Sequence, residues 1–453
     1  MKRLTTKLFA GSFTAALLIA GCGADNAAKK ETVAVADASF ATKVAVASKS
    51  IAGKKVTESL AGISPASGLW SDAVFSKVSL YPQTTISFND IKALKMNKNN
   101  GAKTAKVAAL YNDKEVALAI IWADKSENVA KGQTRDASGN YSGYGETDTY
   151  ADGVAFQFAN GAKDATKLPY IGMGSKGREV AIYLQKAKFN TWEPNGNGNV
   201  GLQKSRNQTN LYNDRSLYQD DSTNSELKAD LDKFDAAVDA AGNDDYERKF
   251  VSAGFRSMTE IKDGSDKSKL TISRIKGYGW MATVVRPIKD EYADLSKSVP
   301  VAFAIWDGGK NNRNGLKLLS GWNAVTLGKE DAKLVAAVND MVATGDIKNG
   351  QEQAVINCGA CHAFPGAMPA TKYMAPNLSN IGGYSTAAYI KESMLKPHAV
   401  VVPGYNRNAH KNDMWYTMNG KKRESTMPAF DYLDAKSLND ITAYFKTLKA
   451  KGE

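Results

Sequence analysis

The sequence predicts an antiparallel β-sandwich followed by a small all-α domain. The chain of 453 residues is too long for one ordinary hydrophobic core, so at least two domains are expected. In residues 57–328, short apolar runs alternate with Gly, Asn, Asp and Pro, which is typical of strands bounded by turns. From about residue 329 onward the apolar residues recur at helical spacing instead.

The strand-like runs of the first domain share a high content of Val, Ile, Ala and aromatic residues. They are "VALAIIWAD" (116–124), "GVAFQF" (153–158), "REVAIYLQKA" (178–187), "WMATVVRPI" (280–288) and "VPVAFAIWDG" (299–308). Residues 190–275 interrupt this pattern, because they are polar and rich in Asn and Asp, with one predicted helix at 225–241. We interpret residues 190–275 as an insertion on the sandwich.

Helical patterns dominate the C-terminal part. Residues 329–345 are predicted to form a linker helix, and residues 346–453 a small helical domain. Within that domain, helices are predicted at 346–357, 386–395 and 435–450. Ser437 is expected to cap the last of these helices.

The N-terminus has the features of an export signal. In residues 1–21, a basic start precedes the apolar run Leu8–Ala20, which is too short for a comfortable membrane span. The run ends in "IAGC", which resembles a bacterial lipoprotein box and implies cleavage before Cys22 and lipidation of its thiol. Residues 22–56 would then be a flexible tether, and the protein a periplasmic lipoprotein on a membrane surface. The alternative is a soluble secreted protein with an ordinary cleavage region.

The charge balance points away from nucleic acid. The formal net charge is +12, and removal of the signal, which holds three positive and no negative charges, leaves +9. An exported protein rarely meets nucleic acid, and the lysines are scattered rather than clustered on an aromatic face. Acidic partner proteins, anionic lipids or acidic cofactor groups explain the positive excess better.

The stretch "INCGACHAF" carries the strongest motif. It contains two of the three cysteines and one of the three histidines of the chain, spaced C-x-x-C-H as Cys358, Cys361 and His362. In an exported protein this spacing is typical of c-type haem attachment, because two thiols can add to the vinyl groups of one porphyrin edge while the adjacent imidazole reaches the iron. A redox-active disulfide is the competing interpretation, but it expects a βαβ context and leaves His362 unexplained.

A second axial ligand is expected downstream of the motif. Met427 in "STMPAF" precedes a proline and the last predicted helix. This arrangement over residues 346–450 resembles class I cytochrome c, in which such a Met-Pro loop supplies the thioether ligand. The other candidates are Met414, Met418, Met368 and His398. Iron with six ligands has no free position for a substrate, so this domain is expected to transfer electrons.

The first domain is notable for what it lacks. Residues 23–357 contain no His and no Cys. This composition excludes the usual zinc and copper sites, iron–sulfur clusters and any His-dependent catalytic triad. A metal site in this part of the chain could use only Met, Lys, Tyr, Asp, Glu or backbone groups.

Several stretches of the first domain resemble a known family, the haem b gamma subunits of ethylbenzene and dimethyl sulfide dehydrogenases. The matching stretches are "AIIWAD" (119–124), "DGVAFQF" (152–158), "PYIGMGSKGREVAIYLQKAK" (169–188), "GYGWMATVVRPI" (277–288) and "VPVAFAIWDGGKNNRNGLKLLSGWNAVTL" (299–327). The resemblance implies a β-sandwich that holds one non-covalent haem b between a Met and a Lys. The family's Met corresponds to Met173, and its Lys to Lys317.

Both implied ligands are chemically reasonable. A thioether is a soft ligand, and a Lys amine can bind iron only after burial and the metal have removed its proton. Lys310 and Met281 lie close enough in the sequence to compete. The resemblance also implies partners, namely the catalytic and iron–sulfur subunits of a periplasmic molybdenum enzyme.

The sequence therefore predicts an electron-transfer protein that carries one haem b and one haem c and is not itself an enzyme. It would pass electrons between the iron–sulfur subunit of a molybdenum oxidoreductase and a soluble or membrane cytochrome. One alternative is a haem-free ligand-binding or sensor sandwich fused to a cytochrome c. Another is a peroxidase-like enzyme, which would need an open iron position with an acid–base residue beside it.

Overall fold

The computed structural model describes the greater part of both domains. The described residues are 38–48, 50–83, 101–126, 128, 152–159, 168–187, 247–254, 257–261, 268–296, 299–310, 312, 315–339, 345–369, 374–402, 405 and 412–452. The expected signal peptide, Cys22 and the helix expected at 225–241 lie outside these residues. Within them, no helix is both long enough and apolar enough to cross a membrane.

Fourteen strands of the first domain join one hydrogen-bonded sheet. They are β1 (Ala45–Ala47), β2 (Ser50–Lys55), β3 (Phe75–Pro82), β4 (Lys103–Tyr111), β5 (Glu115–Ala123), β6 (Gly153–Ala159), β7 (Val180–Lys186), β8 (Glu247–Ser252), β9 (Met258–Glu260), β10 (Lys269–Ile275), β11 (Gly279–Pro287), β12 (Val299–Trp306), β13 (Leu318–Ser320) and β14 (Asn323–Leu327).

The sheet folds into two layers that enclose a core. The first layer runs β10-β11-β5-β4 and the second runs β12-β6-β7-β8-β9, while β2 with β14 and β3 with β13 connect β4 to β12. Most neighbouring strands are antiparallel, and the pairs β1–β3, β2–β4 and β2–β14 are parallel. The predicted fold class, a β-sandwich followed by a helical domain, is confirmed.

Alternate residues of the strands explain why the sequence shows long apolar runs. In β5, Leu118, Ile120 and Trp122 face the core between the layers, where they meet Phe156 and Phe303 of the second layer. The intervening residues Ala117, Ala119 and Ile121 belong to a separate apolar cluster that the N-terminal segment covers with Phe40, Leu60 and Trp70. Because both faces of β5 are buried, its sequence is apolar at nearly every position.

The range expected to be a flexible tether, 22–56, needs a correction. Strands β1 and β2 fall inside it and pair within the sheet, and Phe40 is buried, so the sandwich begins before residue 57.

The range expected to be an insertion, 190–275, needs a correction as well. Strands β8, β9 and β10 fall inside it, and β8 pairs with β7 while β10 pairs with β11. Residues 247–275 therefore contribute to the sandwich. The sequence hides these strands because polar residues lie within them: Lys249 of β8 is buried, and its ammonium donates to the carbonyl of Ser268 at 2.7 Å.

The second domain has the expected helices and one unexpected hairpin. The helices are α1 (Ala332–Asn339), α2 (Ile347–Cys358), α3 (Ile381–Tyr384), α4 (Ala387–Leu395) and α5 (Ala435–Thr447), and the hairpin is β15 (Tyr416–Asn419) with β16 (Lys422–Ser425). Asp434, not Ser437, caps α5, since its carboxylate accepts the backbone N–H of Ser437. An aspartate that precedes the first helical residue is as good a cap as serine.

Helices α2 and α5 cross at close range. A Cβ on Gly350 of α2 would lie 2.0 Å from the carbonyl oxygen of Asp440 on α5, so only glycine fits at the crossing. The buried carboxylate of Asp440 accepts hydrogen bonds from Lys436 Nζ (2.6 Å), Asn349 Nδ2 (2.6 Å) and the backbone N–H of Asp346 (2.8 Å). Asp440 thus ties the start of α2 to α5.

These bonds predict an acid-dependent loss of stability. The bond from Lys436, followed by that from Asn349, lowers the pKa of Asp440 from 3.8 to about 2. Because the pKa is lower in the folded state, the stabilisation is complete above the unfolded pKa and is lost as pH falls from about 4 through about 2. We expect Asp440→Asn to lower the Tm at neutral pH, as measured by circular dichroism. When the pH falls from about 4 to about 2, the Tm of this variant should decrease less than that of the wild type. Asp431→Asn, at an exposed aspartate of the same domain, should have the Tm of the wild type at each pH. Equal Tm values for all three proteins across this pH range would contradict a stabilising role of the Asp440 carboxylate.

Candidate functional site

A cavity of about 570 Å³ lies in the second domain and brings together the residues of the C-x-x-C-H motif. Cys358, Cys361, His362 and Met427 all line it. Apolar side chains form much of the remaining wall, including Leu378, Ile381, Ile390, Met394, Val400 and Phe445. The volume and the apolar lining with a few polar groups are typical of a cofactor site, for which about 300–1,000 Å³ is usual.

The two cysteines and the histidine lie where helix α2 ends. The backbone N–H groups of Cys361 and His362 both donate to the carbonyl of Cys358, at 3.2 and 2.9 Å, which places the three residues in one tight turn. The two thiols are not joined in a disulfide. Burial raises the pKa of the Cys358 thiol to about 12, with a smaller contribution from Cys361, so this thiol lacks the low pKa of a redox-active C-x-x-C motif.

The ring of His362 is held in one orientation. Its Nδ1 lies 2.7 Å from the carbonyl oxygen of Pro376, which can only accept, so Nδ1 carries the proton and Nε2 keeps its lone pair. Burial lowers the pKa of His362 and favours the neutral ring. A neutral imidazole whose other nitrogen donates to a carbonyl is the usual arrangement of a metal-binding histidine.

The sequence candidates for a second axial ligand fall into two groups, those that line the cavity and those that do not. Met427 and Met414 line it, whereas Met368 is 88% exposed and neither Met418 nor His398 is among the lining residues. His398 is exposed, and its Nδ1 accepts the backbone N–H of Ser425 at 3.0 Å.

Sequence reasoning missed two further methionines in the wall, Met374 and Met394. Met394 lies on α4 one helical turn after Ile390, and both are buried. Their i, i+4 spacing was a signal that could have placed Met394 on the inner face of the helix.

Met173 lies in a strained turn of the first domain. Its φ is 78°, and it is the one non-glycine residue with positive φ in the described part of the chain. Its carbonyl accepts the N–H of Gly254 at 2.8 Å, and the N–H of Gly174 donates to the carbonyl of Tyr170 at 2.8 Å. A non-glycine residue in this conformation costs about 1–3 kcal/mol, and such strain is concentrated at functional sites.

Lys317 precedes β13 and has an unusual environment for a lysine. Its Nζ lies 5.4 Å from the centre of the Trp306 ring. Within the described residues no hydrogen bond or ion pair to this ammonium is present. Burial lowers the pKa of Lys317 to about 8, which makes the neutral amine accessible near physiological pH.

The turn with Met173 and the side chain of Lys317 lie over the same outer face of the second layer. Gln157 of β6 donates to the carbonyl of Ile171 at 3.0 Å, and Gln157 pairs with Ala302 of β12. Trp306, beneath Lys317, is four residues further along β12, which is about 13 Å along the strand. The two candidate ligands therefore share one face of the sheet, with anchor points about 13 Å apart along β12.

The floor between these anchor points suits a flat cofactor. On β6, β12 and β14 this face carries small side chains, namely Ala155, Ala159, Ala302, Ala304 and Ala324, and β7 beside them carries Val180, Ile182 and Leu184. Two buried oxygens, Ser175 Oγ and Gln83 Oε1, have no hydrogen-bond partner in the described part of the chain. Ser175 follows Met173 by two residues, and the N–H of Gln83 donates to the carbonyl of Lys317 at 2.9 Å. These unpaired groups beside the candidate ligands fit a site for a cofactor with polar substituents.

The competing residues of the first domain lie elsewhere. Met281 is fully buried in the cluster on the outer face of the opposite layer, so the core of the sandwich separates it from Trp306 and Lys317. Lys310 lies 3.9 Å from the carboxylate of Asp307.

The two candidate sites meet at the domain interface. Tyr170, three residues before Met173, lines the cavity of the second domain and stacks on Tyr389 of α4 with 5.1 Å between ring centres. Next to this contact, Arg178 forms a two-pronged ion pair with Glu392, with distances of 2.9 and 2.7 Å. One turn of the sandwich therefore reaches both sites.

Together, the sandwich, the helical domain and its cysteine–histidine cavity define a haem-containing electron-transfer protein. Residues 67–317 match the family model described as ethylbenzene dehydrogenase, and residues 347–449 match the model described as cytochrome c. The first match spans more than half of the 453 residues. The chain belongs to the ethylbenzene dehydrogenase family and continues into a cytochrome c domain, which confirms the resemblance seen in the sequence.

Comparison with other proteins adds little beyond the family. No curated protein matches the chain. A putative carbohydrate-binding protein from Bacteroides uniformis aligns with 62% of this chain and 93% of its own length, at 10% identity and a TM-score of 0.28. A family 9 carbohydrate-binding module from Caldicellulosiruptor kristjanssonii, solved with glucose, aligns with 62% of this chain and 97% of its own, at 7% identity and a TM-score of 0.26. TM-scores this low do not support a conclusion about the fold or function of this chain.

The tight domain interface yields one prediction. A Cβ on Gly254, whose φ is 116°, would lie 2.1 Å from Val402 Cγ1 of the second domain. We expect Gly254→Ala to lower the free energy of unfolding by about 1–3 kcal/mol more than Gly62→Ala, because overpacking adds to the backbone strain. Gly62 is the matched control, since its φ is 75° but its Cβ would meet no atom within 4 Å. If urea denaturation shows equal losses of unfolding free energy in the two variants, the close contact between Gly254 and Val402 is contradicted.

The methionines of the cavity yield a second prediction. Met427→Ala should lower the reduction potential of the c-type centre, because a thioether ligand raises it. Met414→Ala, at the other sequence candidate that lines the cavity, should leave the potential near that of the wild type. Redox titration followed by absorption measures both variants. A lower reduction potential in Met414→Ala and an unchanged one in Met427→Ala would indicate that Met414, not Met427, is the axial ligand.

Proposed function

We propose that this protein is an electron carrier with two haems in one chain. Haem c would be attached to Cys358 and Cys361, with His362 and Met427 as axial ligands. Haem b would be held without covalent bonds between Met173 and Lys317. The observation that carries the proposal is the position of Tyr170, which lines the haem c cavity and belongs to the same turn as Met173.

The chemistry of each proposed ligand supports this function. When bound, haem supplies a one-electron redox centre whose potential depends on its axial ligands and on burial. His362 presents Nε2 because Pro376 engages Nδ1, and Lys317 can offer a neutral amine because burial has lowered its pKa. Met173 is held over the alanine-lined face by a turn whose backbone bonds to Gly254 and Tyr170 fix its position.

Electron transfer is favoured over catalysis by the protein itself. Both proposed sites provide two axial side chains, which leaves no coordination position for a substrate or for peroxide. A peroxidase-like enzyme is therefore the weaker proposal. A haem-free ligand-binding sandwich remains the main alternative function, and it predicts that only the c-type centre is present.

The proposed partners follow from the family. We propose that the sandwich docks to the iron–sulfur subunit of a molybdenum oxidoreductase and that the cytochrome domain exchanges electrons with a soluble or membrane cytochrome. A lipid on Cys22, with the residues between Cys22 and Ala38 as a tether, would hold the protein at a periplasmic membrane surface. The basic balance of the chain suits acidic protein partners and anionic lipids.

The lysine ligand gives the decisive variant pair. We expect Lys317→Ala to abolish the b-type signal in the pyridine haemochrome spectrum and to leave the c-type signal intact, because the b-type site alone loses an axial ligand. Lys310→Ala is the matched control, since Lys310 is near in sequence but lies beside Asp307. It should retain both signals.

Two outcomes would contradict this proposal. If the wild-type protein shows only a c-type signal, the sandwich binds no haem and the alternative function stands. If both signals survive in Lys317→Ala and the b-type signal is lost in Lys310→Ala, then the site is real but the lysine ligand is Lys310.

A further inference from the structure

Three buried aspartates meet at one end of the sandwich. Asp124 follows β5, Asp152 precedes β6 and Asp307 follows β12. Each contributes one carboxylate oxygen to a group in which all three oxygens lie within 4.8 Å of one another. Their exposures are 4%, 0% and 5%, so water cannot screen the negative charges.

The strand register explains why these residues converge. Gly153, directly after Asp152, pairs with Trp306, directly before Asp307. Asp124 lies in the other layer, and Trp280 connects the two, because it pairs with Trp122 of β5 while its Nε1 donates to Asp152 Oδ2 at 3.0 Å. The cluster is thus built into the framework of the sandwich.

Among the described residues, two lysine ammonium groups lie near Asp307, and the guanidinium of Arg274 donates to the backbone carbonyls of Asp124 and Ser126 at 2.9 Å. Lys103 Nζ lies 3.5 Å from Asp307 Oδ2, and Lys310 Nζ lies 3.9 Å from the same oxygen. Both distances exceed the roughly 2.7–2.9 Å of a good charge-assisted hydrogen bond. Asp152 is oriented by N–H donors, from Asn128 to Oδ2 at 2.8 Å and from Gly308 to Oδ1 at 2.7 Å.

Two oxygens at this site are buried without a partner. Asp124 is 96% buried, and while its Oδ1 accepts from Ser126, its Oδ2 has no partner among the described residues. The side-chain oxygen of Asn128 is likewise buried and unpaired there. A buried acceptor left unpaired is destabilising, most of all when it is charged, so both atoms indicate a missing partner.

Oxygens from separate segments also surround one small space. The point where Gly309 would carry a Cβ is 3.0 Å from Asn128 Oδ1, 3.0 Å from Ser126 Oγ and 3.4 Å from Asp307 Oδ1. A side chain on residue 309 would press against these oxygens. Because residue 309 is glycine, this space stays open beside the amide, hydroxyl and carboxylate oxygens.

We propose that this cluster binds one structural calcium ion. The ligands would be carboxylate oxygens of Asp124, Asp152 and Asp307 and the amide oxygen of Asn128, with the hydroxyl of Ser126 beside them. Ca²⁺ accepts about six to eight oxygens in irregular arrangements, whereas Mg²⁺ demands a near-ideal octahedron and keeps several waters. The ion would fasten the segments after β5 and β12 to the start of β6.

The test uses the full-length protein with its haems, treated with EDTA and transferred to chelator-free buffer. Isothermal titration calorimetry with CaCl₂ should show one Ca²⁺ per chain, and calorimetric unfolding should show a higher Tm with Ca²⁺ present. Asp124→Asn and Asn128→Ala should each weaken Ca²⁺ binding by at least about tenfold. Asp113→Asn is the matched control, because its side chain is 85% exposed, and it should bind Ca²⁺ like the wild type.

Several results would overturn the proposal. The first is the absence of both a heat of binding and a Tm shift at up to about 10 mM Ca²⁺. The second is equal Ca²⁺ affinity of Asp124→Asn and the wild type. The third is binding of Mg²⁺ but not of Ca²⁺. The c-type spectrum of each variant reports whether the chain has folded. Asn128→Ala retains all the carboxylates, so it tests the site even if Asp124→Asn does not fold. Haem content is a separate readout, and its loss would bear on the electron-carrier proposal alone.

Discussion

The arrangement of this protein depends on one apolar surface that the two domains share. The outer face of the second layer, with residues such as Ala302 and Trp306, belongs to the same buried cluster as Cys358 and Phe445 of the cytochrome domain. Burial of this face from water favours the joining of the domains, since the hydrophobic effect grows with the apolar area removed. The turn at Met173, the ion pair of Arg178 with Glu392 and the stacking of Tyr170 on Tyr389 lie beside this surface.

A shared core has consequences for electron transfer. Inter-domain contacts within a chain are usually modest and polar, and the domains then move relative to each other. Here a two-pronged ion pair, stacked tyrosines and a glycine that admits no side chain hold the domains in one orientation. Under the proposed function, the distance between the two redox centres is set by folding and does not depend on a mobile tether.

Much of this could be predicted from the sequence, and the reasons are local. The C-x-x-C-H motif is contiguous, so its geometry follows from one helix end, and the helices follow from spacing within single segments. The sequence does not distinguish Ser437 from Asp434 as the cap of α5, because both residue types are good caps. Strands β8 and β10 were missed because buried polar residues, such as Lys249, break the apolar pattern.

The remaining features depend on contacts between distant segments. Nothing in the local pattern around Asp124, Asp152 or Asp307 shows that they meet, because only the register of β6 on β12 and the stacking of the layers bring them together. Met173 and Lys317 were named through family resemblance, and their common face emerges only from the sheet. Burial, which decides whether a lysine can become a neutral amine, is likewise a property of the folded chain.

The number and type of haems test the central claim most directly. Acidified organic solvent extracts non-covalent haem from the purified holoprotein and leaves covalent haem attached to the chain. We expect one equivalent of free protohaem in the extract and one equivalent of haem c on the protein. An extract without protohaem, beside a full equivalent of haem c, would contradict it.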